Sequence, residues 1–166
     1  MRVGIGYDVH AVKRERRLIL GGVEVASEFG LAGHSDGDVV LHAIIDSLLG
    51  AAALGDIGIF FPCTPEYKDI QSTILLRRVK ELIAREGYKV GNIDVAICAE
   101  SPRLSPFFDQ MKEEIGKVLD IPKQKIGIKA TSPEGVGPLG RGEGICAYAV
   151  AILEEGNEGF QHPFRQ

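Results

Sequence analysis

The N-terminal run Val3-Gly4-Ile5-Gly6-Tyr7-Asp8-Val9-His10 alternates strictly, and that alternation constrains the fold more than any other feature of the chain. With a period of two, Val3, Ile5, Tyr7 and Val9 share one face of a strand, while Gly4, Gly6, Asp8 and His10 share the other. The apolar face is expected to look into the core, which turns Asp8 and His10 together toward the opposite side. Burying a carboxylate beside an imidazole costs free energy unless something compensates, and a divalent cation is one compensator that also brings chemistry. Alone, D-x-H is a weak signal and more often marks a surface or hydrogen-bonded pair.

Downstream, strand and helix signals alternate. Residues 18–25, split by Gly21-Gly22, read as a bent strand or hairpin arm, followed by a loop over 26–33 expected to be mobile. A helix should start near Asp36 or Asp38, because Val39, Leu41, Ile44, Ile45, Leu48 and Leu49 recur at helical spacing. Further helices are expected over 70–85 and about 106–119, with strands ending at 93–99, over 125–130 and over 144–153. The last of these is apolar on both faces, which places it in the interior or at a subunit contact. The pattern predicts an α/β (α+β) fold, a mixed sheet with helices packed on one face. It forms one domain over 1–155, with a loosely ordered tail over 156–166.

Lys and Arg total 19 against 23 Asp and Glu, a net charge of −4, with no dense basic stripe; nucleic acid is not an expected partner. Cys63, Cys98 and Cys146 are far apart and form no CxxC, so neither a disulfide framework nor a thiolate zinc site is suggested, and a reducing, cytoplasmic setting fits. No leader or membrane-spanning stretch is read from the sequence.

A second cluster, His34-Ser35-Asp36-Gly37-Asp38 with His42 and Asp46, adds to the first. Asp38, His42 and Asp46 are four apart on the predicted helix, so two carboxylates flank one imidazole and could orient it. The bland alternative is a pair of capping acids and a surface histidine. With both clusters present, Asp8, His10 and His42 make a set of two nitrogens and one oxygen that leaves a fourth tetrahedral position open and suits Zn²⁺. Asp56-Ile57-Gly58 and Thr131-Ser132-Pro133-Glu134-Gly135 read as turns able to contact polar ligands, the second with hydroxyls and backbone N–H groups suited to a diphosphate and Glu134 suited to a second hard cation. Arg141 and Glu143 sit between glycines, most simply a tight turn with a surface ion pair.

Together, YDVH at 7–10, HSDGDVVLHAIIDSLLGAAALGDIGIFFP at 34–62, KATSPE at 129–134 and GRGEGI from Gly140 resemble the methylerythritol cyclodiphosphate synthase family. The resemblance covers roughly 1–155 and implies conversion of 4-diphosphocytidyl-2-C-methyl-D-erythritol 2-phosphate to the cyclic diphosphate, with CMP leaving. It implies Zn²⁺ on Asp8, His10 and His42, and Mg²⁺ or Mn²⁺ bridging the phosphates through Glu134. It assigns phosphate stabilisation to His34 with Ser35 and to Ser132 with Thr131. It counts Asp8, Val9 and His10 among the substrate contacts and gives the methylerythritol portion to Asp56, Ile57, Gly58, Phe61, Pro62, Cys63, Thr64 and Pro65. The cytosine end falls to Ala99, Glu100, Ser101, Pro102, Arg103, Leu104 and Ser105, and Pro133, Pro138 and Arg141 also count among the substrate-binding positions. It also implies a homotrimer around a central axis, with active sites between subunits and Tyr7, Arg141 and Glu143 near the axis, where the family can hold an isoprenoid diphosphate. Cys63, Pro133, Arg103 and Pro138 depart from the commoner family pattern. Two rivals use the same residues: a metal-dependent phosphohydrolase that activates water, and a non-catalytic module that binds an isoprenoid diphosphate.

Overall fold

The computed structural model describes residues 1–156. Its main sheet has the order β4-β1-β7-β5-β6 and is built from β1 (Arg2–Arg14), β4 (Phe29–Leu31), β5 (Tyr88–Cys98), β6 (Ile126–Thr131) and β7 (Gly144–Glu155). β7 runs antiparallel to both β1 and β5, whereas β5 and β6 are parallel, so the sheet is mixed, as expected. The parallel pair is possible because helix α4 (Phe108–Leu119) supplies the crossover between its strands. β7, apolar from Ile145 through Leu153, takes the central position.

A separate hairpin, β2 (Leu18–Leu20) with β3 (Val23–Val25), turns through Gly21-Gly22, both of positive φ. The loop expected over 26–33 instead contains β4, whose Phe29, Gly30 and Leu31 pair with Arg14, Lys13 and Val12 at the far end of β1. It is held by that ladder, which the short apolar run was too brief to announce. The expected C-terminal tail lies outside the described residues apart from Gly156, whose N–H donates to the Gly87 carbonyl at 2.8 Å. Among the described residues no helix is long and apolar enough to cross a membrane.

The expected facing of β1 is reversed. Val3, Ile5, Tyr7 and Val9 are exposed, Ile5 at 71%, and with Tyr148 and Val150 of β7 they make an outward apolar face. The glycine face is the one that carries a helix, α1 (Val39–Ala52). A Cβ on Gly4 would lie 2.0 Å from the Ser47 carbonyl oxygen, and one on Gly6 would lie 2.0 Å from that of Ala43. Strand and helix backbones therefore touch, across a stripe of Ala43, Ser47 and Ala51 at four-residue spacing. Larger side chains on β1 would have prevented this approach, so the apolar residues were left on the other side.

α3 (Ser72–Arg85) and α4 complete the layer over the same face, α3 burying Leu75, Leu76, Val79 and Ile83. Each such side chain contributes roughly 1.5–3 kcal/mol of transfer free energy. α1 begins at its N-cap Asp38 and ends at Ala53 in the left-handed conformation, with Leu54 N–H returning to the Leu49 carbonyl.

Candidate active site

The close contact of β1 with α1 brings the two sequence clusters together. Asp8 Oδ2 lies 2.8 Å from His10 Nε2 and 2.9 Å from His42 Nδ1, and the two nitrogens are 3.1 Å apart. Asp8 and His10 come from the helix-facing side of β1; His42 comes from the first turn of α1, next to the Ala43 that touches Gly6. These three residues offer ligand atoms that could hold a metal ion.

The proton inventory argues that a cation fits there. His10 Nδ1 faces the Ala32 carbonyl, which can only accept, so Nδ1 carries the ring proton and Nε2 of the neutral ring is bare. His42 Nε2 lies 3.0 Å from Ser72 Oγ, whose own proton goes to Asp36 Oδ1 at 2.5 Å. Ser72 therefore accepts from His42 Nε2–H, which leaves Nδ1 of the neutral ring bare as well. Two unprotonated nitrogens and a carboxylate oxygen then converge with no hydrogen among them, and a proton or a cation must hold them together. A tetrahedral cation with bonds of about 2.0–2.1 Å needs ligand edges of about 3.3–3.4 Å, so an opening of a few tenths of an ångström suffices. Electrostatics agree. Burial alone would raise the Asp8 pKa, but with a proton in place of the cation, donated from His10 or His42, that bonding outweighs burial and holds the carboxyl well below its usual range. Burial alone would lower that of His10, but the Asp8 carboxylate and the Ala32 carbonyl outweigh it, and the net shift is upward.

The helix acids do not orient His42 as expected. Asp38, fully buried, accepts from the N–H groups of Gly21 (2.9 Å), Gly22 (2.7 Å), Val40 (3.1 Å) and Leu41 (3.0 Å), capping α1 and fastening the β2-β3 turn to it. An N-cap side chain folds back on its own helix end and so does not reach one turn ahead. Asp46 accepts the Ile57 N–H at 2.8 Å, anchoring the one-turn helix α2 (Ile57–Phe60). The partners of His42 are instead Ser72 and Ser35, the latter at 3.1 Å. Arg16 donates to the Gly33 (2.8 Å) and Ser35 (2.7 Å) carbonyls and steadies the segment that carries His34.

The three candidate ligands line a cavity of about 240 Å³. Its polar end adds His34, Ser35 and Asp46; Ile57, Gly58, Phe61 and Cys63 form the other side. Tyr67, Ile70 and Leu75 line it too, and sequence reasoning missed them because two precede α3 and one reads as helix core. His34 Nε2–H donates to the Thr64 carbonyl at 2.7 Å, closing the 61–65 segment over that side. Asp56 caps α2 through Ile59 N–H at 3.2 Å, and Val9 turns its side chain to the opposite, exposed face of the sheet.

Residues expected at the nucleotide and phosphate end form a second cluster where the parallel strands β5 and β6 finish. Ser132 Oγ–H donates to Glu100 Oε2 at 3.0 Å, and the Glu134 N–H donates to Ser132 Oγ at 2.9 Å. Glu134 and Gly135 both have positive φ, and the Gly135 N–H reaches Glu100 Oε2 at 3.4 Å. Arg103 Nε–H donates to Ser105 Oγ at 3.0 Å. Arg141 Nε–H donates to Glu143 Oε1 at 2.6 Å, the ion pair expected in the loop after α5 (Gly137–Gly140), the helix that contains Pro138. None of these residues lines the 240 Å³ cavity.

Residues 1–154 match the family model described as the YgbB family. A 2-C-methyl-D-erythritol 2,4-cyclodiphosphate synthase of Desulforamulus reducens is 54% identical over 157 residues, covering 94% of this chain and 100% of the relative. Among solved structures, IspF of Plasmodium falciparum in complex with CDP superposes with a TM-score of 0.83 at 35% identity, over 94% of this chain and 97% of that one. The bifunctional IspDF of Campylobacter jejuni superposes with a TM-score of 0.90 at 38% identity; 93% of this chain matches 42% of that longer one.

Proposed function

The chain belongs to the YgbB family, and from that membership we propose how its residues share the work of a 2-C-methyl-D-erythritol 2,4-cyclodiphosphate synthase. It is an enzyme, and its reaction is the cyclisation named in its relatives: 4-diphosphocytidyl-2-C-methyl-D-erythritol 2-phosphate closes to the cyclic diphosphate with loss of CMP. The observation that carries the chemistry is the convergence of Asp8, His10 and His42 on one point at the cavity wall.

These three residues would hold Zn²⁺, and Glu134 would contribute to holding Mg²⁺ or Mn²⁺. When bound, such cations supply Lewis acidity and neutralise phosphate charge. The nucleophile is the substrate's own 2-phosphate, already anionic near neutral pH, so no side chain has to remove a proton. The chain's task is positioning. The Ser35 hydroxyl at the polar end of the cavity would donate to a phosphate oxygen, as would His34 once its Nε2–H is released from the Thr64 carbonyl. Ile57, Gly58, Phe61 and Tyr67 shape the apolar side against the methylerythritol carbons and limit access of water. Thr131 and Ser132 would offer a second set of phosphate donors, the Ser132 hydroxyl by exchanging Glu100 for a phosphate oxygen, with 99–105 beside them for the nucleotide.

A homotrimer with shared sites accounts for two features. The cavity is below the roughly 300–1,000 Å³ usual for a complete small-molecule site, and the second cluster lies outside it. The outward apolar face of β1 and β7, where Tyr7 stacks on Tyr148 at 4.7 Å, is the kind of patch that soluble proteins cover. An isoprenoid diphosphate near the axis would meet Arg141, already paired with Glu143. The reaction belongs in the cytoplasm. Incubation with the cytidyl substrate and Mg²⁺, followed by phosphorus NMR, tests the proposal. Cyclic diphosphate and CMP are expected; a linear phosphate would mark a phosphohydrolase, and binding without turnover a carrier module. Sedimentation of the same sample reads the trimer.

A further inference from the structure

Behind His42 stand two side chains that the reaction as described does not use. Ser72 is fully buried at the first residue of α3. Asp36 grips it twice, accepting its hydroxyl at 2.5 Å on Oδ1 and its backbone N–H at 2.9 Å on Oδ2. Asp36 is itself fixed, its N–H donating to the Ile70 carbonyl at 3.1 Å. With its proton committed to a carboxylate, the Ser72 hydroxyl can meet His42 Nε2, 3.0 Å away, only as an acceptor.

We propose that Asp36 and Ser72 are positioning residues that lock His42 in the tautomer with Nδ1 bare and aimed at Asp8 and His10, and so set the affinity of the centre for a divalent cation. The inference rests on the reading of Asp8, His10 and His42 as that centre. Ligating histidines are commonly oriented through their second ring nitrogen by a carboxylate; here a serine is interposed between the two. The arrangement also separates two jobs. The Ser72 N–H bond to Asp36 anchors the start of α3, whereas the hydroxyl, itself held by Asp36, is the group that meets the histidine. Ser72→Ala deletes the second job and keeps the first. Ser35 Oγ, at 3.1 Å from the same nitrogen, remains as a weaker acceptor, so the expected loss is partial.

The test uses metal-free, ¹⁵N-labelled full-length protein. Long-range ¹⁵N–¹H NMR of the histidines should show His42 protonated at Nε2 in the parent and a mixture of tautomers in Ser72→Ala. Zn²⁺ competition against a chromophoric chelator should show about 10–100-fold weaker binding in the variant, the range usual for lost outer-sphere partners. Thermal unfolding of the metal-free forms should agree within a few degrees, which an anchor-only role for Ser72 would also give without moving tautomer or affinity. A folded Ser72→Ala that binds Zn²⁺ within twofold of the parent and keeps its His42 tautomer overturns the proposal. A parent that binds no Zn²⁺ sinks the metal centre itself, whereas the NMR still reads the support of His42 directly. If Ser72→Ala does not fold, Asp36→Asn is measured in its place and must weaken Zn²⁺ in the same direction.

Discussion

Replacing Gly6 by alanine tests whether the backbone contact of β1 with α1 is what assembles the metal centre. The new Cβ would fall 2.0 Å from the Ala43 carbonyl oxygen and 2.8 Å from the Ser47 nitrogen, both backbone atoms that cannot swing aside. Ordinary contact begins near 3.4 Å, so α1 must retreat by more than an ångström. Overpacking of this kind costs about 1–3 kcal/mol, and more where backbone must move. His42 neighbours Ala43, so the retreat carries its Nδ1 from 2.9 Å to roughly 4 Å from Asp8 Oδ2, well outside the tolerance of about 0.2 Å for ligand placement. Zn²⁺ affinity should fall by at least tenfold, and turnover by on the order of 10², the usual penalty for an ångström of misplacement. The matched control is Gly50→Ala on the same helix, where the nearest neighbouring atom is 3.9 Å away. It should fold, bind Zn²⁺ and turn over like the parent. Chelator competition, circular dichroism and CMP release measure all three proteins. A folded Gly6→Ala with the parent's affinity and rate would refute the argument that close packing positions the ligands.

His42→Ala and Asp8→Ala should each lose Zn²⁺ and turnover while keeping the parent's circular dichroism; a folded, zinc-free variant that releases CMP at the parent's rate would remove the assignment. Glu134→Gln should chiefly weaken the divalent-metal requirement, moving its Mg²⁺ titration to higher concentration, and superimposable titrations would deny Glu134 that role. Asp38→Ala removes an N-cap and leaves four backbone N–H groups without their acceptor, which should cost about 2.5–8 kcal/mol in denaturant unfolding, from about 0.5–2 for the cap and about 1–3 for each of the Gly21 and Gly22 N–H groups it also strands. The same residue predicts a pH dependence. Burial, with Asp36 adding to it, pushes the Asp38 carboxyl up to about 6 against the opposing N–H bonds. Its raised value means that folding takes up a proton between about pH 4 and 6, so the parent's advantage over Asp38→Ala should shrink as pH rises through that window and then level off. An advantage that grows with pH would mean that the N–H donors, and not burial, govern this carboxyl.

The residues of the site were more legible than the packing that assembles them. Period two placed Asp8 and His10 on one face of β1 correctly, but the assumption that Val3, Ile5, Tyr7 and Val9 must face inward put the wrong side toward the core. A glycine face offers no apolar area to a hydrophobicity argument, yet it permits the closest approach of all. The signal was available as a pair: Gly4 and Gly6 on the strand answer Ala43, Ser47 and Ala51 on the helix. The support of His42 was harder to read. Asp36 looked like a capping acid and Ser72 like the start of an amphipathic helix, and only the fold brings residues thirty positions apart within 3.0 Å. Tyr67, Ile70 and Leu75 were hidden for the same reason, since lining a cavity leaves no periodic mark. Because α1 occupies the glycine side so tightly, the chain's apolar strand residues were displaced to a surface that no element among the described residues covers. The contact that brings Asp8, His10 and His42 together therefore also leaves an apolar strand face exposed, the face on which the proposed association of copies would act.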